Sequence, residues 1–529
     1  MKNLKRILLI LPALFFVLTC SKDSGDEPNY EPPVKYTLTV TINPPGGGTV
    51  SPSGGSFDKS TQINLEATPS AGYAFKEWTG DVQGTGSPLI FLMNSNMNIT
   101  CVFEPLDSDE DGVFDLNDDC PDTPSGVTVD DNGCPTTPTV YLDENGITIK
   151  CYEWAEVGQT GEVNGVVYTI VDEETLFQMA FNGADMTTVC TTKVTNMEAL
   201  FGFDESFNQD IRSWDVSNVN NMAWMFASTS FNQDISAWNV SNVMDMSWMF
   251  EYSDFNQEIG SWDVSNVMEM EGMFSETPFN QDISDWNVSN VTDMSWMFEY
   301  SDFNQEIGSW DVSNVTNMSV MFSQAPFNKD ISGWNVSNVT DMSWMFENAA
   351  FNQNIGVWNV GNVTNMSGMF LYASFNQDIS GWNVGNVTEM SGMFAGSSFD
   401  QNISAWNVSK VTDMSGMFAI SSFNQDISSW DVSAVISMAG MFYESVFNQP
   451  IDIWDLSSVE DMEMMFYGAT AFNQDLSNWE VTNVVSCTDF STNTPQWVLP
   501  KPNFTNCSPG SSGKGLSLKY QKKTKPNRG

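Results

Sequence analysis

The sequence predicts a repeat solenoid, made of short parallel strands and short helical turns, preceded by a small all-β domain. Three observations carry this prediction. From about Asn196 to Phe490 the chain repeats itself: Phe207, Phe231, Phe255, Phe279 and Phe303 stand 24 residues apart, and Trp214, Trp238, Trp262 and Trp286 keep the same step. Within a unit, Trp286 and Val288 alternate with polar Asp285, Asn287 and Ser289, and Val291, Met294, Met297 and Phe298 then follow at helical spacing. Upstream, residues 36–104 alternate apolar and polar side chains between glycine-rich turns.

At 529 residues the chain exceeds what one hydrophobic core serves, and the repeats resolve the excess into an open-ended array. A net charge of -48, from 67 acidic and 19 basic residues, repels phosphate backbones and excludes nucleic acid as a partner. There is no histidine, which removes imidazole acid-base chemistry, Ser-His triads and histidine metal sites. Carboxylates recur in register, without the single asymmetric pair that a glycosidase needs. No catalytic residue is assigned, and the chain reads as a non-enzyme.

Residues 1–19 have a basic start and an apolar run, Ile7 to Leu18, too short to span a bilayer, which is the order of a secretory leader. Val17-Leu18-Thr19-Cys20 resembles a lipoprotein signal box, with Thr19 departing from the usual small residue. The resemblance implies lipidation of Cys20 and membrane contact through that lipid only; full secretion is the alternative. The acidic stretch Ser21 to Glu27 resembles the signal that sends some Gram-negative lipoproteins to the outer face, so the expected location is the outer membrane, facing outward. Residues 20–35 form a polar, proline-containing tether.

In residues 36–104, Tyr36, Leu38, Val40 and Ile42 alternate with threonines as in a half-buried strand. Gly72, Tyr73, Phe75 and Trp78 resemble the internalin-type B-repeat domain, which implies a spacer or weak binding module. Residues 105–137 place carboxylates at Asp107, Asp109 and Asp111 before a turn at Gly112. The Val113 carbonyl, Asp115 and Asp118 can complete an oxygen shell, so a structural calcium ion is expected. With Cys120 and Cys134 nearby, the segment resembles a thrombospondin type-3 repeat. The cysteine spacing makes Cys120 with Cys134, Cys151 with Cys190, and Cys487 with Cys507 disulfide candidates, while Cys101 faces a small core.

Residues 138–195 read as the N-terminal cap of the array, 196–490 as the repeats, and 491–529 as a C-terminal cap and tail. In the unit at 279–302, Trp286 and Val288 form a very short strand, and Asn290 caps a helical turn with Asp293 in the capping-box position. One strand and one helical turn per 24 residues is the build of a leucine-rich repeat, whose units bury their apolar residues only by stacking. The repeated Phe-Asn-Gln-Asp-Ile and Trp-Asn-Val-Ser-Asn-Val-Thr sequences resemble the BspA-like leucine-rich-repeat surface proteins, which implies surface exposure and adhesion.

The tryptophan and methionine rows read as core, and the Asn280-Gln281 row as a hydrogen-bond ladder from unit to unit. Asp263, Asn287, Asp311 and Asn335 are expected on the outward strand face as a possible ligand face. The function expected is adhesion or recognition of an extracellular protein or glycan through the repeats. A spacer or surface-layer component without a ligand is the first alternative. A non-catalytic polysaccharide-capturing subunit is the second; it requires exposed aromatics, for which Trp248, Trp296, Trp344, Tyr252 and Tyr300 are the candidates.

Overall fold

The computed structural model describes residues 32–121, 123, 128–134, 136 and 139–510. The leader, Cys20, the tether up to residue 31 and the tail from 511 lie outside the described residues. The chain divides into two units, residues 1–134 and 135–529.

In the first unit, β1 (Lys35–Asn43), β2 (Gly48–Ser51), β3 (Gly54–Asp58), β4 (Gln62–Pro69), β5 (Tyr73–Gly80), β6 (Leu89–Leu92) and β7 (Met97–Pro105) form two sheets, ordered β3-β1-β7-β5 and β2-β4-β6. β1 pairs in parallel with β7, and the other pairings are antiparallel. The alternation expected in β1 holds, with every second residue turned toward the interior. Leu38, Leu65, Trp78, Ile99, Cys101 and Phe103 fill the core. Trp78 can be fully buried because its indole N–H donates to the Gly86 carbonyl at 3.0 Å. Gly48 has no side chain because the Phe103 ring occupies that space: a Cβ there would lie 2.3 Å from it. Cys101 faces this core, and burial pushes its thiol up to about 11. Past β7, a Cys120–Cys134 disulfide closes the acidic segment.

The second unit opens with β8 (Val140–Leu142) paired to β9 (Ile149–Cys151), then β10 (Thr160–Val163) and β11 (Val166–Ile170). α1 (Glu173–Phe181), the one α-helix among the described residues, starts where the Asp172 carboxylate accepts the Thr175 N–H. β12 (Val189–Cys190) then pairs in parallel with β11. Leu176 of α1, with Val171, Met186 and Val189, covers the first coil of the repeat core. Cys151 and Cys190 are buried, free thiols here, not a disulfide. A hydrogen bond between the two sulfurs pushes Cys151 down to about 7 and raises Cys190.

The repeats stack in register. Parallel β-bridges run from Asn196 to Asn221, Asp245, Glu269 and Asp293, and on without a break to Ser486. The bridge therefore lies at Asp293, past the end of the strand expected at Trp286–Val288, a segment that makes turns instead. No helix forms within the repeats. The N–H groups of Met294, Trp296, Phe298 and Tyr300 donate to Asn317, Ser319, Met321 and Ser323 of the next repeat, while those of Met297, Glu299 and Ser301 close turns three residues back. A helix would require all of these bonds to stay inside the segment. The turns are of the kind with a left-handed third residue, and φ is 62° at Trp296 and 52° at Tyr300.

Inside, aromatic columns run the length of the stack. Phe279 and Phe303 lie 6.2 Å apart and nearly parallel, Phe298 lies 4.0 Å from Phe303, and Trp334 stacks on Trp358 at 6.4 Å. The methionines Met294 and Met297 are fully buried among them, as core. At the C-terminal end the rings turn: Trp497 meets Phe472 edge-on at 4.7 Å, and Phe504 meets Phe490 edge-on at 4.9 Å. A Cys487–Cys507 disulfide secures that closing segment.

The left-handed positions give a test. Gly368 has φ 60°, and a Cβ there would lie 2.7 Å from the Trp344 ring. Gly368→Ala is expected to destabilise the array by about 1–3 kcal/mol, seen as a lower urea midpoint. Gly385→Ala, at a position where other repeats carry serine, is expected to stay within about 0.5 kcal/mol of the parent.

Candidate functional site

The polar side chains of each repeat divide into those that hold the stack together and those left to face solvent. Asn280 belongs to the first group: its Oδ1 accepts the backbone N–H of Asn304 at 2.9 Å, and Gln305 Nε2 donates to its carbonyl at 2.9 Å. This is the ladder expected from the Asn-Gln row. The tryptophan row adds another, since Trp286 Nε1 donates to the Ile259 carbonyl at 3.1 Å and its neighbours do the same. Asn290 caps no helix; its Nδ2 donates to the Ser265 carbonyl of the preceding repeat at 2.7 Å. Asp293 Oδ1 accepts the Ser295 N–H two residues on, a turn and not a capping box.

Asp263, Asn287, Asp311 and Asn335 are solvent-exposed, but they do not lie on a strand. Each accepts the backbone N–H of the serine two residues later, at 3.0–3.2 Å, and so closes a local turn. The Ser265 and Ser313 hydrogen bonds hold the Asp263 and Asp311 carboxyls below the usual range. The crowded carboxylates lie instead on the bridge column, where Asp245, Glu269 and Asp293 follow one another. Glu269 is raised there, by burial first and then by repulsion from Asp293 and Asp245.

Trp248, Trp296 and Trp344 are buried, each under 5% exposed, and join Val320, Leu371, Ala395 and Ala419 in a second apolar cluster. They sit at left-handed positions and lean onto the next repeat: a Cβ on Gly272 would lie 2.1 Å from the Trp248 ring. This removes them as an exposed aromatic surface. Tyr252 and Tyr300, four residues further along, are about half exposed, and Tyr372 joins them in the same column at 52%. That column reads Tyr252, Glu276, Tyr300, Gln324, Asn348 and Tyr372, and it changes at nearly every step while the interior columns stay constant. Sequence reasoning picked out two of these tyrosines but not the column; its signal was the variation itself, repeat against repeat. Next to the bridge column, Met244 and Met268 replace the threonines of later repeats and are exposed between Asn242, Asn266 and Asn290.

In the first unit, Asp107, Asp109 and Asp111 place carboxylate oxygens within 4.8 Å of one another. Asp109 accepts the Thr123 N–H at 2.6 Å, Asp107 Oδ2 the Gly112 N–H at 3.1 Å, and Asp111 Oδ1 the Val113 N–H at 2.7 Å. Asp107 Oδ1 and Asp111 Oδ2 are left buried without a hydrogen-bond partner. Asp118 is close, since a Cβ on Gly133 would lie 2.1 Å from its Oδ1 and 3.2 Å from Asp111 Oδ2; burial, then Asp109, Asp111 and Asp115, raises its carboxyl. Asp115 gives both oxygens to Ser108, at 2.8 Å each. Buried, converging carboxylate oxygens without donors are a donor set that fits a hard cation. Among the described residues this is the one cluster of three or more such ligands, and no helix is long and apolar enough to cross a membrane.

The family described as "Mycoplasma protein of unknown function, DUF285" matches residues 171–278, 244–357, 324–421 and 395–498. Residues 38–107 match the "Divergent InlB B-repeat domain". Together the two matches fit a BspA-like surface protein. The chain is also similar to Outer membrane porin F of Pseudomonas aeruginosa, 65% identical over 34 residues, which cover 6% of this chain and 10% of that protein. The chain thus spans about a tenth of that relative's length. No solved structure matches.

Glu269 gives a pH test. Its folded value lies above the ordinary 4.5, so its ionisation opposes folding at neutral pH, and the penalty is lifted as the pH falls through that folded value. Glu269→Gln is expected to raise the thermal midpoint at pH 7, and the gain is expected to vanish in acid, where the wild-type carboxyl takes up its proton.

Proposed function

We propose, from the premise that the chain belongs to the DUF285 family, that it is a cell-surface recognition or adhesion protein and not an enzyme. Its repeats act as a leucine-rich-type solenoid that presents side-chain columns to an extracellular protein or glycan. The observation that carries this reading is the contrast between columns. The interior Phe, Trp, Met and Asn-Gln rows are nearly invariant, as stacking demands, while the exposed column from Tyr252 to Tyr372 changes from repeat to repeat. A pure spacer has no use for a varied outer column. The absence of histidine and the use of carboxylates as turn acceptors support a binding role over a catalytic one.

The polysaccharide-capturing alternative keeps its tyrosines and loses its tryptophans, which are buried. In the full reading, lipid at Cys20 holds the protein to the outer membrane, and residues 36–104 serve as a spacer. The acidic segment is stiffened by calcium at Asp107, Asp109 and Asp111, with Asp118 beside them. When bound, the ion supplies the positive charge that the two unpartnered oxygens lack. Asp115, held by Ser108, is left to fix the loop.

Two measurements test this. The chain freed of residues 1–19, applied to arrays of matrix proteins and glycans, is expected to give a specific hit; none from a folded sample favours the spacer. Calorimetry with calcium chloride is expected to show binding that Asp111→Asn weakens by about tenfold or more. Chelator is expected to lower the melting temperature of the first unit only, and a titration without heat removes the calcium assignment.

A further inference from the structure

We infer that the column through Tyr252, Tyr300 and Tyr372 is a stacking platform for a linear, uncharged glycan laid along the repeats. The inference rests on the recognition reading above and names the class of ligand. The three tyrosines are 48%, 50% and 52% exposed, the most open aromatic rings in the array. All three are held with positive φ, at 56°, 52° and 54°. A bulky side chain in that conformation costs stability, and the repeat frame imposes it at this position.

Two of the rings, those of Tyr372 and Tyr300, reach along the stack onto the next repeat. A Cβ on Gly396 would lie 2.1 Å from Tyr372 Cδ1 and 2.3 Å from Cε1, so this ring rests on the glycine backbone of the next repeat with its other face open. Tyr300 reaches forward likewise, and its hydroxyl accepts a hydrogen bond from Gln324 Nε2. A flat aromatic face beside polar groups is what the C–H face of a pyranose ring packs against, while its hydroxyls seek donors and acceptors at the edges.

Spacing favours an extended chain. The backbone N–H groups of Tyr252, Tyr300 and Tyr372 each donate to the next repeat, at 3.0, 2.9 and 2.8 Å. The column therefore advances at the strand spacing of about 4.8 Å per repeat, which puts Tyr300 about 10 Å from Tyr252 and Tyr372 about 14 Å further on. One repeat per sugar is close to the advance of an extended β-linked glycan, and between the rings stand Glu276, Gln324 and Asn348, whose polar ends can pair with sugar hydroxyls. The net charge of -48 repels acidic polysaccharides, so the ligand is neutral.

The test is calorimetry of the full chain without its leader against cellohexaose and laminarihexaose, with an alginate hexasaccharide as the acidic control. A neutral hexasaccharide is expected to bind at least about tenfold more tightly than its disaccharide, because it spans more than one ring. Alginate is expected not to bind. Tyr300→Asn removes the ring at a position where Asn348 already adopts φ 49°, so the fold tolerates it. It is expected to weaken binding about three- to tenfold, and the triple change Y252N/Y300N/Y372N to abolish it with a melting midpoint no lower than that of the parent. Undiminished binding by the triple variant, or no neutral glycan bound by folded parent chain, overturns the platform. If the parent fails on glycans yet captures a matrix protein, recognition by the array stands and only the platform falls; if it captures neither, both fall.

Discussion

Every repeat shares its backbone hydrogen bonds with the next. From Met294 to Tyr300, N–H groups point alternately into the next repeat and back into their own turn. That alternation forces the left-handed residues at 296 and 300, forbids a helix, and fixes the pitch of every column outside and inside the stack. A single unit cannot satisfy its own backbone, so the fold exists only as a series. The caps follow from the same constraint: α1 covers the first coil, and the edge-on rings of Trp497 and Phe504 cover the last.

Side chains repeat this logic. Asn280, Gln305, Trp286 and Asn290 all reach to or from a neighbouring unit, so these polar groups find their partners about one repeat away. Invariance of those positions is a condition of folding and carries no information about a ligand. The half-exposed column through Tyr252 and Tyr300 changes its residue from repeat to repeat instead. The positions that hold the stack and the positions that vary thus lie in different columns of one repeat.

Much of this was legible in the sequence. The 24-residue period, the buried Trp, Phe and Met rows, the Asn-Gln ladder and the strands of the first unit followed from spacing alone. The helical turn did not form, because Val291, Met294 and Met297 at three-residue steps fit a run of consecutive turns as well as one face of a helix. The distinguishing signal was glycine at 272, 368, 392, 416 and 440, in the column where other repeats carry tryptophan. Glycine recurring at a fixed place within an apolar run marks positive φ, not helix. The same oversight made Trp248, Trp296 and Trp344 look exposed and moved the strand from Asp293 to Trp286. The Asp107, Asp109 and Asp111 cluster was visible in the alternate spacing of its carboxylates; that Asp115 turns away to Ser108 was not, since a serine seven residues upstream leaves no periodic trace.

The closed ends bear on how the length of the array can change. With the rings turned edge-on at one end and a helix laid over the other, neither terminus offers a flat coil onto which a second chain would add. Units can then be gained or lost between the two closed ends without disturbing either, since each repeat bonds only to its neighbours.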